Sequence, residues 1–277
     1  MKSEGKFGGI KFKKSLGQNF IFDIPFLEAA IRPLNIQSNE TIVEVGVGAG
    51  TLTRCLAGRA GRVVAYEIDE TLRPQIEGNL CGFNNVQVIY KDILKVGEVP
   101  VEGAFRLVAN IPYYITTPII MKFLGMPACR EICVLVQSDV AERICARPGG
   151  KEYGALTVSI QACAEARILR QVPRAIFRPV PSVDSAFVLI RKDDCHGTSR
   201  QDGSRLVAKT ETKSPLPGFD TFIKRIFAAR RKTIQNASGL PVATLALAGI
   251  APTLRPEQIA PEVFVKLFAL STQSSTK

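Results

Sequence analysis

The stretch Thr41-Ile-Val-Glu-Val-Gly-Val-Gly-Ala-Gly50 decides the fold of this chain. Its first half is an apolar run with the length and composition of a buried strand. Three glycines at alternate positions follow at once, and residues 51–57 then have helical spacing. A strand, a glycine turn and a helix in direct succession are typical of α/β folds in which a ligand approaches the backbone where the helix begins.

Apolar runs recur along the chain at the spacing of alternating strands and helices. The expected strands after the first one span 62–66, 86–90, 105–109 and 131–136. This alternation predicts an α/β fold with a parallel sheet covered on both faces. Two further strands, at 168–172 and 186–190, are expected to form an antiparallel pair that closes one edge of the sheet.

Composition divides the chain into three parts. We expect residues 1–192 to form the sheet domain with a basic N-terminal arm, and 193–218 to form a polar linker. Residues 219–277 are expected to form a small all-α domain. Its first helix carries apolar residues at helical spacing along one face, namely Phe219, Phe222, Ile223, Ile226 and Phe227.

The net charge of +11 over 277 residues lies at the two ends of the chain. Residues 1–18 carry +4, residues 19–190 carry no net charge and residues 191–277 carry +7. Lysines that serve solubility alone are one interpretation. A phosphate-rich partner held from both sides explains the asymmetry better.

Cysteine and histidine usage argues against a metal centre. The seven cysteines are odd in number and lie mostly in apolar contexts, which is typical of reduced thiols in a cytoplasmic protein. The single histidine, His196, lies in the polar linker. No apolar run reaches the roughly 18 residues needed to span a bilayer, and we expect neither a secretory signal nor a membrane partner.

Acidic residues follow the predicted strands on the side where ligands bind. Glu67 ends the second strand, where a carboxylate can accept both ribose hydroxyls, and Asp92 follows the third strand. The glycine spacing after Glu44 departs from the dinucleotide pattern Gly-x-Gly-x-x-Gly, and Glu44 would place a carboxylate near the charged end of the ligand. A cationic nucleoside such as S-adenosylmethionine fits this set, with Asp92 accepting from the adenine amino group.

The turn Asn110-Ile-Pro-Tyr113 follows the fourth strand. Pro112 fixes its own φ and holds Ile111 extended, so the turn is stiff. The Asn110 side-chain oxygen and the Pro112 carbonyl could accept both hydrogens of an exocyclic adenine amine. Tyr113 could stack on the base, which must first leave its own stack. The neighbouring Tyr114 has no role assigned.

These motifs, taken together, resemble the ribosomal RNA adenine N6,N6-dimethyltransferases, and specifically their bacterial small-subunit branch. The resemblance covers residues 11–270, with the motifs in family order. The matching segments are Leu16–Ile21, Glu44–Gly50, Glu67–Asp69, Lys91–Asp92, Asn110–Pro118, Val136–Arg143, Tyr153–Gly154, Phe177–Ser185 and Phe227–Thr233.

The resemblance implies a Rossmann-like class I methyltransferase that uses S-adenosyl-L-methionine. It implies catalytic roles for Asn110, Pro112 and Tyr113, with Phe177 as a second stacking wall. It implies cofactor contacts from Asn19, Ile21, Gly46, Gly48, Glu67, Asp92 and Asn110. The implied substrate is a pair of adjacent adenosines in the 3′-terminal hairpin loop of 16S rRNA, each dimethylated within a pre-30S particle, and we expect the enzyme to be a monomer.

Cations at both ends of the chain are expected to contact the RNA. They are Lys11, Lys13 and Lys14 in the arm and Lys224, Arg225, Arg230, Arg231 and Lys232 in the helical domain. Three other functions remain possible on the sequence alone. They are a 23S rRNA adenine methyltransferase of the macrolide-resistance type, a non-catalytic RNA-binding assembly or transcription factor on the same fold, and a nicotinamide-dependent dehydrogenase.

Overall fold

The computed structural model describes residues 6–7, 10–192 and 216–274. Most of the predicted linker, including Cys195 and His196, lies outside this range. The chain divides into two compact units. Unit 1 comprises residues up to 141 together with 167–190, and unit 2 comprises residues 142–166 together with those from 191 onward.

The described residues contain eleven strands and ten α-helices. The strands are β1 (Lys6–Phe7), β2 (Ile10–Lys11), β3 (Phe20–Ile21), β4 (Thr41–Val45), β5 (Arg62–Glu67), β6 (Val86–Tyr90), β7 (Phe105–Asn110), β8 (Cys129–Gln137), β9 (Ala164–Val172), β10 (Phe177–Arg178) and β11 (Ser185–Lys192). The helices are α1 (Ile24–Ile31), α2 (Thr51–Ala57), α3 (Arg73–Leu80), α4 (Thr116–Leu124), α5 (Ser138–Ile144), α6 (Ala155–Gln161), α7 (Phe219–Ala228), α8 (Ile234–Ser238), α9 (Val242–Ala248) and α10 (Pro261–Ser274).

Seven strands form one sheet in the order β6-β5-β4-β7-β8-β11-β9. The pairs β5–β6, β4–β5, β4–β7 and β7–β8 are all parallel, as predicted. Because β4 is flanked by β5 and β7, the chain reverses its direction of progress across the sheet beside β4, and ligands bind at such a switch point. The two last-predicted strands lie side by side at one edge of the sheet, and β9 begins four residues before the predicted start.

The core of unit 1 explains why the sequences of the central strands are continuous apolar runs. Ile42, Val63 and Val108 of β4, β5 and β7 are all fully buried, because helices cover the sheet on both faces. The helix α1 begins at Asp23, whose carboxylate accepts a hydrogen bond of 2.9 Å from the Phe26 backbone N–H. Asp23 is therefore the N-cap of α1.

The core of unit 2 is built from helices. Phe222, Ile223 and Ile226 of α7 are buried, which confirms the predicted apolar face. Their cluster includes Tyr153, which precedes α6 and donates a hydrogen bond of 2.7 Å to the Ile259 carbonyl. The compact units therefore differ from the predicted boundaries, since residues 142–166 were assigned to the sheet domain. No helix in the described part of the chain is both long and apolar enough to cross a bilayer.

Candidate active site

The glycine turn after β4 forms the floor of a cavity at the carboxyl ends of the parallel strands. Gly46 and Gly48 have φ values of 80° and 57°, a region that favours glycine. A Cβ on Gly48 would lie 2.6 Å from the Phe20 ring, so no other residue fits without displacing that ring. The Gly46 N–H donates to the Tyr66 carbonyl at 2.8 Å, which ties the turn to β5.

Glu67 holds the glycine turn from the end of β5. Its carboxylate accepts backbone hydrogen bonds from Gly48 at 2.8 Å, Ile68 at 2.9 Å and Asp69 at 2.8 Å. Burial raises the pKa of Glu67, and these three bonds oppose that rise. A carboxylate has about four acceptor positions, so one position remains to receive a ligand hydroxyl.

The cavity is lined by five segments of unit 1 and by three residues outside them. The segments are 16–21, 45–49, 66–68, 91–94 and 110–115, and the other residues are Leu27, Thr51 and Leu52. Each predicted cofactor residue contributes to the lining, and these residues are Asn19, Ile21, Gly46, Gly48, Glu67, Asp92 and Asn110. The structure thus brings the predicted set together. No cluster of His, Cys, Asp or Glu suited to a metal ion occurs in the described residues.

The lining fits S-adenosylmethionine. Ile68 and Leu94 line the cavity although 55% and 39% of their surfaces are exposed, so they offer apolar surface to a base ring. Asp92 accepts from the Leu94 N–H at 3.0 Å, and its other oxygen lies 4.0 Å from the Lys95 ammonium. That oxygen can accept from an adenine amine. The lining contains two carboxylates, Glu67 and Asp92, and one lysine, Lys91, a balance that suits a cationic ligand better than a pyrophosphate.

Glu44 does not take the place that the sequence suggested. Its side chain is fully buried and lies outside the cavity lining, so it does not face the charged end of a ligand. Burial raises its pKa to about 8, a nearby Thr53 hydroxyl partly opposes this, and the charge of Glu67 adds to it. Neither carboxylate oxygen forms a well-directed hydrogen bond with any residue that the structure describes.

Asn110 is oriented by the N-terminal arm. Its side-chain Nδ2 donates to the Asn19 backbone carbonyl at 3.0 Å, and the Asn19 side chain donates to the Gly17 carbonyl at 3.1 Å. Since Nδ2 is engaged, Oδ1 is the end of the Asn110 amide that remains to accept a hydrogen bond from a ligand. This is the orientation that binding of an adenine amine requires.

Tyr113 is held by Ser185, a residue for which we predicted no role from the sequence. Its hydroxyl lies 2.7 Å from the hydroxyl of Ser185, which is fully buried at the start of β11. Burial raises the pKa of Tyr113, and the Ser185 hydrogen bond opposes that rise. The phenol therefore stays neutral, and Ser185 fixes the direction of a ring that lines the cavity. A serine 72 residues away along the chain gives no local sequence signal.

Two predicted acceptor-site roles need correction. Phe177 is fully buried in the core of unit 1, because β10 pairs with β3 and brings Phe177 opposite Ile21. It does not line the cavity, so this structure does not present it as a stacking wall. The Pro112 carbonyl already accepts from the Ile115 N–H at 3.1 Å and from the Thr116 hydroxyl at 3.4 Å. The Pro112 carbonyl can accept the second hydrogen of an adenine amine only if its long hydrogen bond from Thr116 breaks.

The predicted RNA-binding cations differ in their surroundings. Lys13 forms an ion pair of 2.6 Å with Asp69, and the side chains of Lys11 and Lys14 lie outside what the structure describes. In unit 2, Lys224 pairs with Asp220 at 2.6 Å, and Arg230 donates to the Lys151 carbonyl at 2.9 Å. The Arg225 guanidinium lies 5.7 Å from the Phe222 ring centroid, while the following turn exposes Arg231 and Lys232.

Comparisons with known proteins identify the family of the chain. Residues 9–273 match the model of the family described as ribosomal RNA adenine dimethylase. The chain is 39% identical to ribosomal RNA small subunit methyltransferase A of Lysinibacillus sphaericus, over 94% of this chain and 90% of that protein. It is 40% identical to the protein of the same name from Geobacillus thermodenitrificans, over 82% and 76% of the two chains.

Solved structures share the fold. A dimethyladenosine transferase from Plasmodium falciparum aligns with a TM-score of 0.76 at 23% identity, over 92% of this chain and 98% of that one. The 23S rRNA methyltransferase ErmE aligns with a TM-score of 0.66 at 26% identity, over 91% and 98%. The predicted class I methyltransferase fold is confirmed, and the chain belongs to the ribosomal RNA adenine dimethylase family.

Proposed function

We propose that this protein dimethylates N6 of two adjacent adenosines in the 3′-terminal hairpin loop of 16S rRNA, within a pre-30S ribosomal particle. Its family membership makes it an rRNA adenine N6,N6-dimethyltransferase that uses S-adenosyl-L-methionine. The observation that carries the proposal is the orientation of Asn110, whose Nδ2 is engaged by Asn19 so that Oδ1 faces a ligand as an acceptor.

The acceptor site, formed by Asn110, Pro112 and Tyr113, increases the reactivity of a poor nucleophile. The lone pair of an exocyclic adenine amine is delocalised into the ring, so the amine gains nucleophilicity when hydrogen-bond acceptors hold its hydrogens out of the ring plane. Asn110 Oδ1 accepts one hydrogen, and the Pro112 carbonyl accepts the other in place of its 3.4 Å contact with Thr116. Tyr113 stacks on the base, with its ring fixed by Ser185. A neutral nitrogen needs no general base to begin its attack, and the methylated amine then releases its extra proton to solvent.

Residues on the cofactor side of the cavity bind and orient S-adenosylmethionine. S-adenosylmethionine supplies a methyl group on a cationic sulfur when it is bound. Glu67 accepts from one ribose hydroxyl, rather than both, at the one acceptor position that its backbone bonds leave open. Asp92 accepts from the cofactor's adenine amine, and the exposed surfaces of Ile68 and Leu94 contact that ring. The glycine turn lets the ligand approach the backbone closely.

The RNA is expected to reach the site with the help of cations at both ends of the chain. Arg231 and Lys232 are exposed in the turn after α7 and suit phosphate contacts. Lys224 and Arg225 are exposed on α7, where Lys224 also pairs with Asp220, while Arg230 is bonded within its own unit. We further propose that the protein acts as a monomer in the cytoplasm and without a metal ion.

The choice of 16S over 23S rRNA rests on the relatives. Those named as small-subunit enzymes are 36–40% identical to this chain, whereas the 23S enzyme ErmE is 26% identical. Tritiated methyl transfer to pre-30S particles and to isolated 23S rRNA tests the choice, followed by mapping of the label. We expect label on two adjacent adenosines of 16S rRNA. Label on 23S rRNA alone would replace the proposed substrate, and binding without transfer would indicate a non-catalytic factor.

A further inference from the structure

A buried aspartate anchors the N-terminal arm beside the cofactor cavity. The Asp69 side chain has no exposed surface, and its two oxygens receive Lys13 Nζ at 2.6 Å and Gln18 Nε2 at 2.8 Å. The Thr71 hydroxyl also donates to it at 2.6 Å. The Gln18 side chain closes the arm on itself, since its oxygen accepts the Lys13 backbone N–H at 2.8 Å. We name this cluster of Lys13, Gln18 and Asp69 the arm clasp.

The arm held by the clasp forms one wall of the active site. Residues 16–21 line the cavity, and a Cβ on Gly17 would lie 3.2 Å from the Tyr114 ring. Two residues further along, the Asn19 carbonyl accepts the hydrogen bond that orients Asn110. The arm then ends in β3, where the Ile21 carbonyl accepts from the Thr51 hydroxyl at 2.6 Å.

The arm is therefore fixed at both ends, and the bond that orients Asn110 lies between them. At its far end it is fixed by β3, through pairing with β10 and the Thr51 bond. At its near end the contacts to Asp69 are the ones that join the arm to the end of β5. Loss of the near anchor would free Gly17 and Asn19 to shift, and both the cavity wall and the Asn110 amide would shift with them.

We propose that Asp69 is a positioning residue, which acts through Lys13 and Gln18 to hold the arm where it walls the cofactor cavity and orients Asn110. The part that concerns Asn110 rests on the proposed methyl transfer, and the part that concerns the cavity wall does not. On this view Lys13 serves the architecture of the site, in addition to or in place of the predicted contact with RNA.

The test uses Asp69→Asn, Lys13→Met and the double variant in the full-length protein. Asp69→Asn keeps the shape of the side chain but removes its charge and turns an amide donor toward Lys13 or Gln18. We expect either single variant to weaken S-adenosylmethionine binding, measured by calorimetry without RNA, by about tenfold, since breaking one partner of a buried ion pair is costly. The half-exposed lysine moderates the effect. The double variant should be no worse than Asp69→Asn alone.

A second readout separates positioning from stability. At saturating cofactor we expect kcat of Asp69→Asn to fall about five- to tenfold, because small misplacements of a reacting group are costly. Amide hydrogen exchange should become faster at Lys13 and Leu16, whose N–H groups are bonded within the arm. Lys13→Arg should restore most of the affinity and of kcat, because it returns a cation to Asp69.

A matched surface pair provides the control. Arg59 and Glu28 lie 3.6 Å apart in the same unit and outside the cavity lining. Arg59→Met and Glu28→Gln should leave affinity and kcat within about twofold. Wild-type affinity and exchange in Asp69→Asn would overturn the inference, as would a lower unfolding midpoint with unchanged affinity and kcat. Absence of methyl transfer by the wild-type protein would instead refute the proposed function, while the calorimetry would still decide whether the clasp holds the wall.

Discussion

The two sides of the cavity are held by different kinds of contact. The cofactor side contains Gly46, Gly48, Glu67 and Asp92, and the acceptor side contains Asn110, Pro112 and Tyr113. On the cofactor side, Glu67 accepts from Ile68 and Asp69, one and two residues away, and from Gly48 only 19 residues away. On the acceptor side, Asn110 is oriented by Asn19 from 91 residues away, and Tyr113 by a serine 72 residues away. The glycine turn on the cofactor side is thus set by two adjacent strands and their turns, whereas the arm wall and the acceptor side depend on segments that are distant in sequence.

The difference suggests a division of labour. A site built from adjacent strand ends depends on contacts that are close in sequence. A site built from distant segments exists only when the arm, the turn after β7 and the start of β11 are all in place. We therefore expect variants on the cofactor side to change affinity or stability, and variants on the acceptor side to change rate.

The largest effect is expected at Glu44. This buried carboxylate lies in β4, just before the glycine turn of the cofactor side, and does not line the cavity. Its pKa is raised above the unfolded value, to about 8, so the folded protein binds a proton that the unfolded chain releases between about pH 4.5 and 8. Stability should therefore decline as pH rises through that window. At about 1.4 kcal/mol per pKa unit, the decline reaches roughly 4–5 kcal/mol.

Glu44→Gln should abolish this part of the pH dependence, because glutamine has no charge to bury. Urea unfolding of both proteins at pH 5, 7 and 9 measures it. The free energy of unfolding of Glu44→Gln, relative to that of the wild type, should increase from pH 5 to pH 7 and again to pH 9. The cofactor affinity of the variant at pH 7 should stay within about threefold of the wild-type value. Parallel stability profiles would mean that Glu44 is ionised in the folded protein at little cost.

The next effect concerns the acceptor side. Asn110→Ala removes the acceptor aimed at the amine, and we expect the methylation rate to fall by about 10²–10³. Binding to pre-30S particles should survive, because the cations that contact phosphate are untouched. Single-turnover kinetics at saturating cofactor and a filter-binding assay give the two quantities. An unchanged rate would remove Asn110 from the reaction and abolish the contrast between the two sides.

Glu67→Gln is the counterpart on the cofactor side. The amide keeps the size of the carboxylate, but it loses the charge that three N–H groups share and can accept through only one oxygen. Hydrogen bonds to a charged group contribute about 1.5–3 kcal/mol, so calorimetry should show affinity for S-adenosylmethionine reduced by about 10–100-fold. The rate at saturating cofactor should fall less than in Asn110→Ala. The opposite ranking would contradict the division of labour.

The same contrast explains what could be predicted from the sequence. The central strands β4 to β8 and the presence of Gly46, Gly48, Glu67 and Asp92 at their carboxyl ends were predicted correctly, because alternation and glycine turns are local signals and parallel strand ends share one edge. Their contacts with the cofactor stay a prediction. The arm clasp and Ser185 were missed, because their partners are distant in sequence. Phe177 was placed wrongly beside the cavity for the same reason. Its burial depends on a two-residue pairing of β3 with β10 that no periodicity indicates.

The smallest expected effect tests how far the acceptor side depends on its distant support. Ser185→Ala removes the partner of the Tyr113 hydroxyl but leaves the ring, and Tyr113→Phe removes the hydroxyl itself. A neutral hydrogen bond contributes about 1 kcal/mol, so each variant should lower kcat/KM for pre-30S particles by about fivefold. Cofactor affinity should not change. The matched control is Ser159→Ala, which removes a buried hydroxyl bonded to Asp220 within unit 2 and should leave kcat/KM unaltered.

The double variant Ser185→Ala with Tyr113→Phe shows whether the two hydroxyls act through their mutual hydrogen bond or act separately. If the two hydroxyls act only through each other, the double variant should be no worse than either single one, and the coupling should equal the loss in one single variant. Additive losses would mean that each hydroxyl acts separately, with Tyr113 bonding to the RNA and Ser185 to its own strand. In that case the acceptor side would be supported locally, as the cofactor side is, and the contrast between the two would rest on Asn110 and the arm alone.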